Sequence, residues 1–82
     1  MSVLANMDLM KAGVKRLLKE EGPMLATKLA DRVCDRLELV PHQFRGEIIN
    51  YTRQAVWELL VNDEIIFSPN QLLHLPEQKV NQ

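Results

Sequence analysis

The side chains with the most chemistry to offer lie close together, between Gln43 and Gln54. Gln43, Arg45, Glu47, Asn50, Arg53 and Gln54 all fall within or just before one long helical pattern, FRGEIINYTRQAVWELLV. Arginine can pair bidentately with a guanine edge, and asparagine or glutamine with an adenine edge, so amides and guanidiniums along one helix are suited to reading bases. The same residue types also make up the solvated face of an ordinary amphipathic helix. Arg45 falls toward the apolar side, where its stem can lie along the surface or its head can join a salt bridge. Two basic rows add to the set. Lys11, Lys15 and Lys19 recur at i, i+4, i+8, as do Lys28, Arg32 and Arg36. Such spacing puts each row on one helix face, able to touch phosphates, with Asp31 and Asp35 beside the second row partly neutralising it.

Nothing in the chain reads as catalytic. His42 and His74 are isolated, and no HxxxH, CxxC or Glu-x-x-His spacing occurs. Zinc sites need such clusters. There is no nucleophile elbow, P-loop or dinucleotide glycine motif. Cys34, the one cysteine, lies inside a helical pattern and reads as a small packing residue. The expectation is a protein that is not an enzyme, holds no metal and no cofactor, and has no small-molecule site.

Three helical patterns must position these residues. The first starts after Asn6, a good N-cap, with Asp8 in the first turn and Met10, Val14, Leu17 and Leu18 as its buried stripe. Gly22-Pro23 ends it, glycine as a left-handed cap and proline as the stop. Met24-Leu25 is a short apolar link able to form a strand with a later hairpin. The second helix covers about Ala26 to Leu37, with Leu25, Leu29, Ala30, Val33 and Leu37 as its apolar face. After a connection holding Pro41, the third runs from about His42 or Gln43 to Val61. At 100° per residue, Phe44, Ile48, Thr52, Ala55, Val56 and Leu59 share one side, with Ile49 and Leu60 at its margin. Gly46, Glu47, Asn50, Arg53, Gln54 and Trp57 share the other. Asn62-Asp63-Glu64 breaks the helix, and IIF and LLHL read as strands joined by Ser68-Pro69-Asn70-Gln71, a turn with proline at its second position.

Trp57 is the unusual member of the polar side. A large residue near a helix end packs under the hairpin or against the first helix, and that is the expectation here. An exposed Trp57 would instead mark a protein interface, shared with Val61 and with the early apolar residues Val3, Leu4 and Met7.

Length allows one domain: residues 1–6 read as an N-terminal arm, 7–76 as the folded unit and 77–82 as a flexible tail. At 82 residues the chain buries roughly 60–65% of its unfolded surface, enough for one modest core. The single cysteine excludes an intrachain disulfide. No basic n-region opens the chain and no long apolar run follows, so neither a secretory signal nor a membrane span is expected, and the location expected is cytoplasmic. A net charge of −1 is low for a nucleic-acid binder, which gains affinity by neutralising phosphates. The charge is unevenly placed, however. Residues 1–36 carry seven Lys/Arg against five Asp/Glu, and the remainder three against six.

With the elements in order, the chain resembles the winged helix-turn-helix superfamily. LLKEEGPMLATKLADRV is similar to the passage from first to second helix. RQAVWELLVNDEIIF resembles a recognition helix entering the first wing strand, and IIFSPNQLLHL a short wing. The resemblance covers about residues 7–76. It implies an α+β domain of three helices with a C-terminal two- or three-stranded β-wing. Glu64 stands where that family commonly has glycine, leaving Asn62 or Asp63 to take a left-handed conformation. The function implied is a small transcriptional regulator that occupies double-stranded operator DNA, as a homodimer. Gln43, Arg45, Asn50, Arg53 and Gln54 would then face bases, and Lys28 and Arg32 phosphates. The alternative is a winged-helix protein-interaction module that uses Trp57 and Val61.

Overall fold

The computed structural model describes residues 6–36 and 45–78. Element order is α1 (Met7–Glu21), β1 (Met24–Leu25), α2 (Ala26–Arg36), α3 (Arg45–Val61), β2 (Ile66–Phe67) and β3 (Leu72–His74). This is the expected α+β arrangement of three helices and a β-wing, in its three-stranded form. The arm before Asn6, the connection with Pro41, His42 and Gln43, and the last four residues lie outside the described residues.

Local signals account for the helix ends. Asn6 adopts an extended conformation and its Oδ1 accepts from the Leu9 N–H at 3.1 Å, satisfying one donor that the first turn of α1 leaves free. Gly22 closes α1 by donating its N–H to Leu18 C=O at 2.9 Å. Its φ of 89° and ψ of 178° are not the left-handed helical cap expected, but a conformation reserved almost entirely for glycine. This extended exit aims Pro23 and Met24 directly into β1. After α3, Asp63 takes the left-handed position at φ 58°, and the N–H groups of Glu64 and Ile65 reach back to Leu59 C=O.

The sheet has strand order β1-β3-β2, antiparallel throughout. Met24, Leu73 and Phe67 lie opposite one another in register, so their side chains share a face, and Met24 and Leu73 on it enter the core. The hairpin turn is closed by Gln71 N–H donating to Ser68 C=O at 2.9 Å, with Pro69 at the second position as expected. The strands are shorter than the apolar runs suggested. Ile65 is spent on the helix exit and on the core rather than in β2.

The core is one cluster in which Met10, Val14, Leu17 and Leu18 of α1 meet Leu29 of α2, Ala55, Val56 and Leu59 of α3, and Ile65, Leu73 and Leu75 of the wing. The stripe expected on α1 is buried, as are Ile48, Thr52, Ala55, Val56 and Leu59 of the one expected on α3, whose Phe44 lies outside the described residues. On α2 the expected face needs correction. Leu25 belongs to β1 and is exposed, Val33 is half-buried, and Cys34 joins Leu29 and Ala30 as buried, while Leu37 lies outside the described residues. The error came from extending a helical period one residue into a strand. Gln78, assigned to the tail, is pinned instead: its Oε1 accepts from Leu75 N–H at 2.8 Å and its Nε2 donates to Leu18 C=O at 2.7 Å.

Candidate interaction face

α3 sits with Ile48, Thr52, Ala55, Val56 and Leu59 buried, which forces the opposite stripe outward. Thr52, the one polar residue on the buried side, satisfies its hydroxyl by donating to Ile48 C=O at 2.7 Å within its own helix. Gly46, Glu47, Asn50, Arg53, Gln54 and Trp57 are all exposed, as the helical period demands.

Trp57 is 68% exposed and Val61, one turn on, is 65% exposed. The expected packing of Trp57 under the hairpin or against α1 does not occur. The core side of α3 is filled without it, and the ring stands about 180° from Ile48 on a helix turning 100° per residue. The remaining members of the polar set are ordinary. Gln54 Nε2 donates to Glu58 Oε2 at 3.3 Å along the helix.

The two basic rows are largely occupied within the fold. Arg32 donates from Nε to Glu21 Oε1 at 2.9 Å and from Nη2 to Oε2 at 3.1 Å. Arg36 reaches Glu20 at 2.7 Å and Glu21 at 3.2 Å. Lys11 pairs with Glu58 at 2.8 Å and Lys15 with Glu64 at 3.0 Å, tying α1 to α3 and to the chain beyond it. Arg45 lies 3.6 Å from both Asp31 and Asp35, which makes it the salt-bridge partner that its position toward the apolar side suggested. These contacts shift the groups in matching directions. The hydrogen bond from Arg32 holds the Glu21 carboxyl below its usual range, and the one from Lys11 does the same for Glu58. Cys34 is buried, donates weakly from Sγ to Arg45 C=O at 3.9 Å, and has its thiol pushed up by desolvation, as suits a packing residue rather than a nucleophile.

Arg16, Lys19, Lys28 and Arg53 make no ion pair with another described residue. Of the DNA-contact candidates, Asn50, Arg53 and Gln54 share the outward face of α3. Arg32 and Arg45 are held by carboxylates, Lys28 stands exposed on α2, and Gln43 lies outside the described residues.

Alongside Trp57, a shallow groove separates α2 from α3. Ala26 and Ala30 form its low wall, and Ile49, Arg53, Val56 and Trp57 its high one. Sequence spacing did not single out this groove. The available signal was the pair of alanines at i, i+4 on α2, opposite a tryptophan. Among the described residues no helix is long and apolar enough to cross a membrane, and no three His, Cys, Asp or Glu residues cluster as metal ligands. No family model, curated protein or solved structure matches the chain.

Proposed function

We propose that the chain is a winged-helix domain acting as a protein-interaction module, with the outward face of α3 as its docking surface. The observation that carries this reading is the exposure of Trp57 beside that of Val61. Tryptophan contributes more to protein interfaces than almost any other residue, because it removes a large apolar area from water at little entropic cost. Here it stands in the middle of a polar helix face with no packing role to explain it. The ion pairing of the basic rows supports the same conclusion, since most cations offered for phosphate contact already neutralise carboxylates.

A specific observation keeps a second reading, an operator-binding regulator working as a homodimer. Asn50, Arg53 and Gln54 are exposed together on the helix that would enter a major groove. Photo-crosslinking separates the two. A benzophenone amino acid at position 61 is irradiated in extract of the native host, with and without Trp57→Ala, and the products are identified by mass. The interaction reading predicts a discrete protein adduct that Trp57→Ala abolishes. Adducts to nucleic acid, or protein adducts indifferent to Trp57, would overturn it.

A further inference from the structure

Resting on the protein-docking reading, we infer the chemistry of the partner: a peptide segment that seats a bulky apolar side chain in the α2–α3 groove and presents a carboxylate to Arg53. The groove is lined on one side by Ala26 and Ala30, whose short side chains leave room, and on the other by Val56 and Trp57, which supply an apolar wall. From Ile49 to Leu60 the α3 wall runs about 16 Å, the length of roughly five residues of extended chain. That is enough for one apolar anchor and its neighbours.

Charge fixes the rest. Arg53 stands between the two stretches of the groove and lines both, is exposed, and forms no ion pair with another described residue. Asp31, the one acidic group on the lining, stands at the Ile49 stretch, where it shares Arg45 with Asp35; beside Val56 and Trp57, Arg53 is the one charged group on the lining. Glu47 lies about 120° around α3 from Arg53, on the flank away from Ile49 and the groove. The charge facing an occupant beside Trp57 is therefore positive. An incoming carboxylate gains a planar two-pronged donor, whereas a lysine or arginine there meets a like charge.

The test is a selection. The full chain, immobilised, is panned against a phage-displayed library of random dodecapeptides, and the enriched peptides are synthesised and measured by fluorescence anisotropy. The expected result is a consensus of Asp or Glu near Leu, Phe or Trp. Trp57→Ala should weaken such peptides roughly 30-fold, and Arg53→Gln roughly fivefold. Both residues are exposed, so both variants should fold. Ala26→Gln, which fills the low wall from another helix, should also reduce binding. Trp57-dependent peptides that are basic, or indifferent to Arg53→Gln, would overturn the inferred partner chemistry while leaving the docking reading intact. Enriched peptides that bind without Trp57 would overturn both.

Discussion

Arg32 grips Glu21 with two nitrogens of its guanidinium, at 2.9 and 3.1 Å, and joins the end of α1 to the middle of α2. Spacing along α2 offers Arg32 to phosphates, but the fold gives it to a carboxylate eleven residues earlier. Arg36 does the same with Glu20 and Glu21, so the basic row of α2 is an internal strut that leaves Lys28 as its one member outside an ion pair with another described residue.

The ion pairs Arg32–Glu21 and Lys11–Glu58 should make stability fall in acid. Glu21 and Glu58 titrate below the ordinary glutamate value of 4.5 in the folded chain, each because of a basic partner. A carboxyl depressed on folding stabilises the native state above its unfolded value, and that contribution disappears as pH drops through the folded value. Melting temperature followed by circular dichroism should hold steady above the ordinary value and decline below it. Glu21→Gln should make that acid decline shallower. An unchanged decline would show that Glu21 is not held by Arg32 in solution.

The two glycines of the first helix and its exit should respond oppositely to alanine. Gly22 at φ 89° and ψ 178° has no comfortable alternative, so Gly22→Ala should cost about 1–3 kcal/mol. Gly13 is exposed inside α1 with nothing within 4 Å of an added Cβ. Gly13→Ala should therefore gain about 0.5–1 kcal/mol through helix propensity. Urea denaturation of the two variants reads both signs.

Neighbouring residues of α3 should separate stability from recognition. Leu59 is fully buried, and Leu59→Ala should cost about 2–5 kcal/mol, a large part of what a domain this size possesses. Trp57→Ala, two positions earlier, should change stability by no more than about 0.5 kcal/mol because the ring leaves no cavity behind. A strongly destabilised Trp57→Ala would mean that the ring packs in the monomer.

Duplex DNA should be a poor ligand. Among the described residues, Arg16, Lys19, Lys28 and Arg53 are the cations that make no ion pair with another described residue. With Lys79 counted as a fifth, the logarithm of any affinity should then fall with the logarithm of salt no more steeply than a slope of about −5. Arg32→Gln should leave that slope unchanged. A steeper slope, or one that Arg32→Gln reduces, would show that the strut opens to bind phosphate.

The period of α3 was legible residue by residue, because burial on a helix follows a 100° step whatever the partner. Ile48, Thr52, Ala55, Val56 and Leu59 went inward and Asn50, Arg53 and Gln54 outward for that reason. The fate of Trp57 was not legible. Whether a large side chain at a helix flank finds a neighbour depends on where the hairpin and α1 lie, and helix spacing is silent on that. The pairing of Arg32 and Arg36 was hidden for the same reason, since Glu20 and Glu21 come from a different helix. Of the two carboxylates expected beside that basic row, Asp31 and Asp35, Asp35 pairs with Arg32 at i, i+3, while Asp31 faces Arg45. Leu25 lies in the strand expected of Met24-Leu25, but it was also counted on the apolar face of α2, because a two-residue strand is too short to interrupt a helical period.

Trp57 is the one tryptophan in the chain, so tryptophan emission, excited at wavelengths that tyrosine does not absorb, reports on the proposed docking face alone. The decisive measurement is acrylamide quenching of that emission in the isolated chain, at concentrations where sedimentation shows a monomer. An exposed ring on an unoccupied α3 face predicts red-shifted emission and quenching nearly as efficient as in the urea-unfolded chain. A blue-shifted emission protected from quencher in the monomer would contradict it, placing Trp57 inside the fold and removing the docking surface.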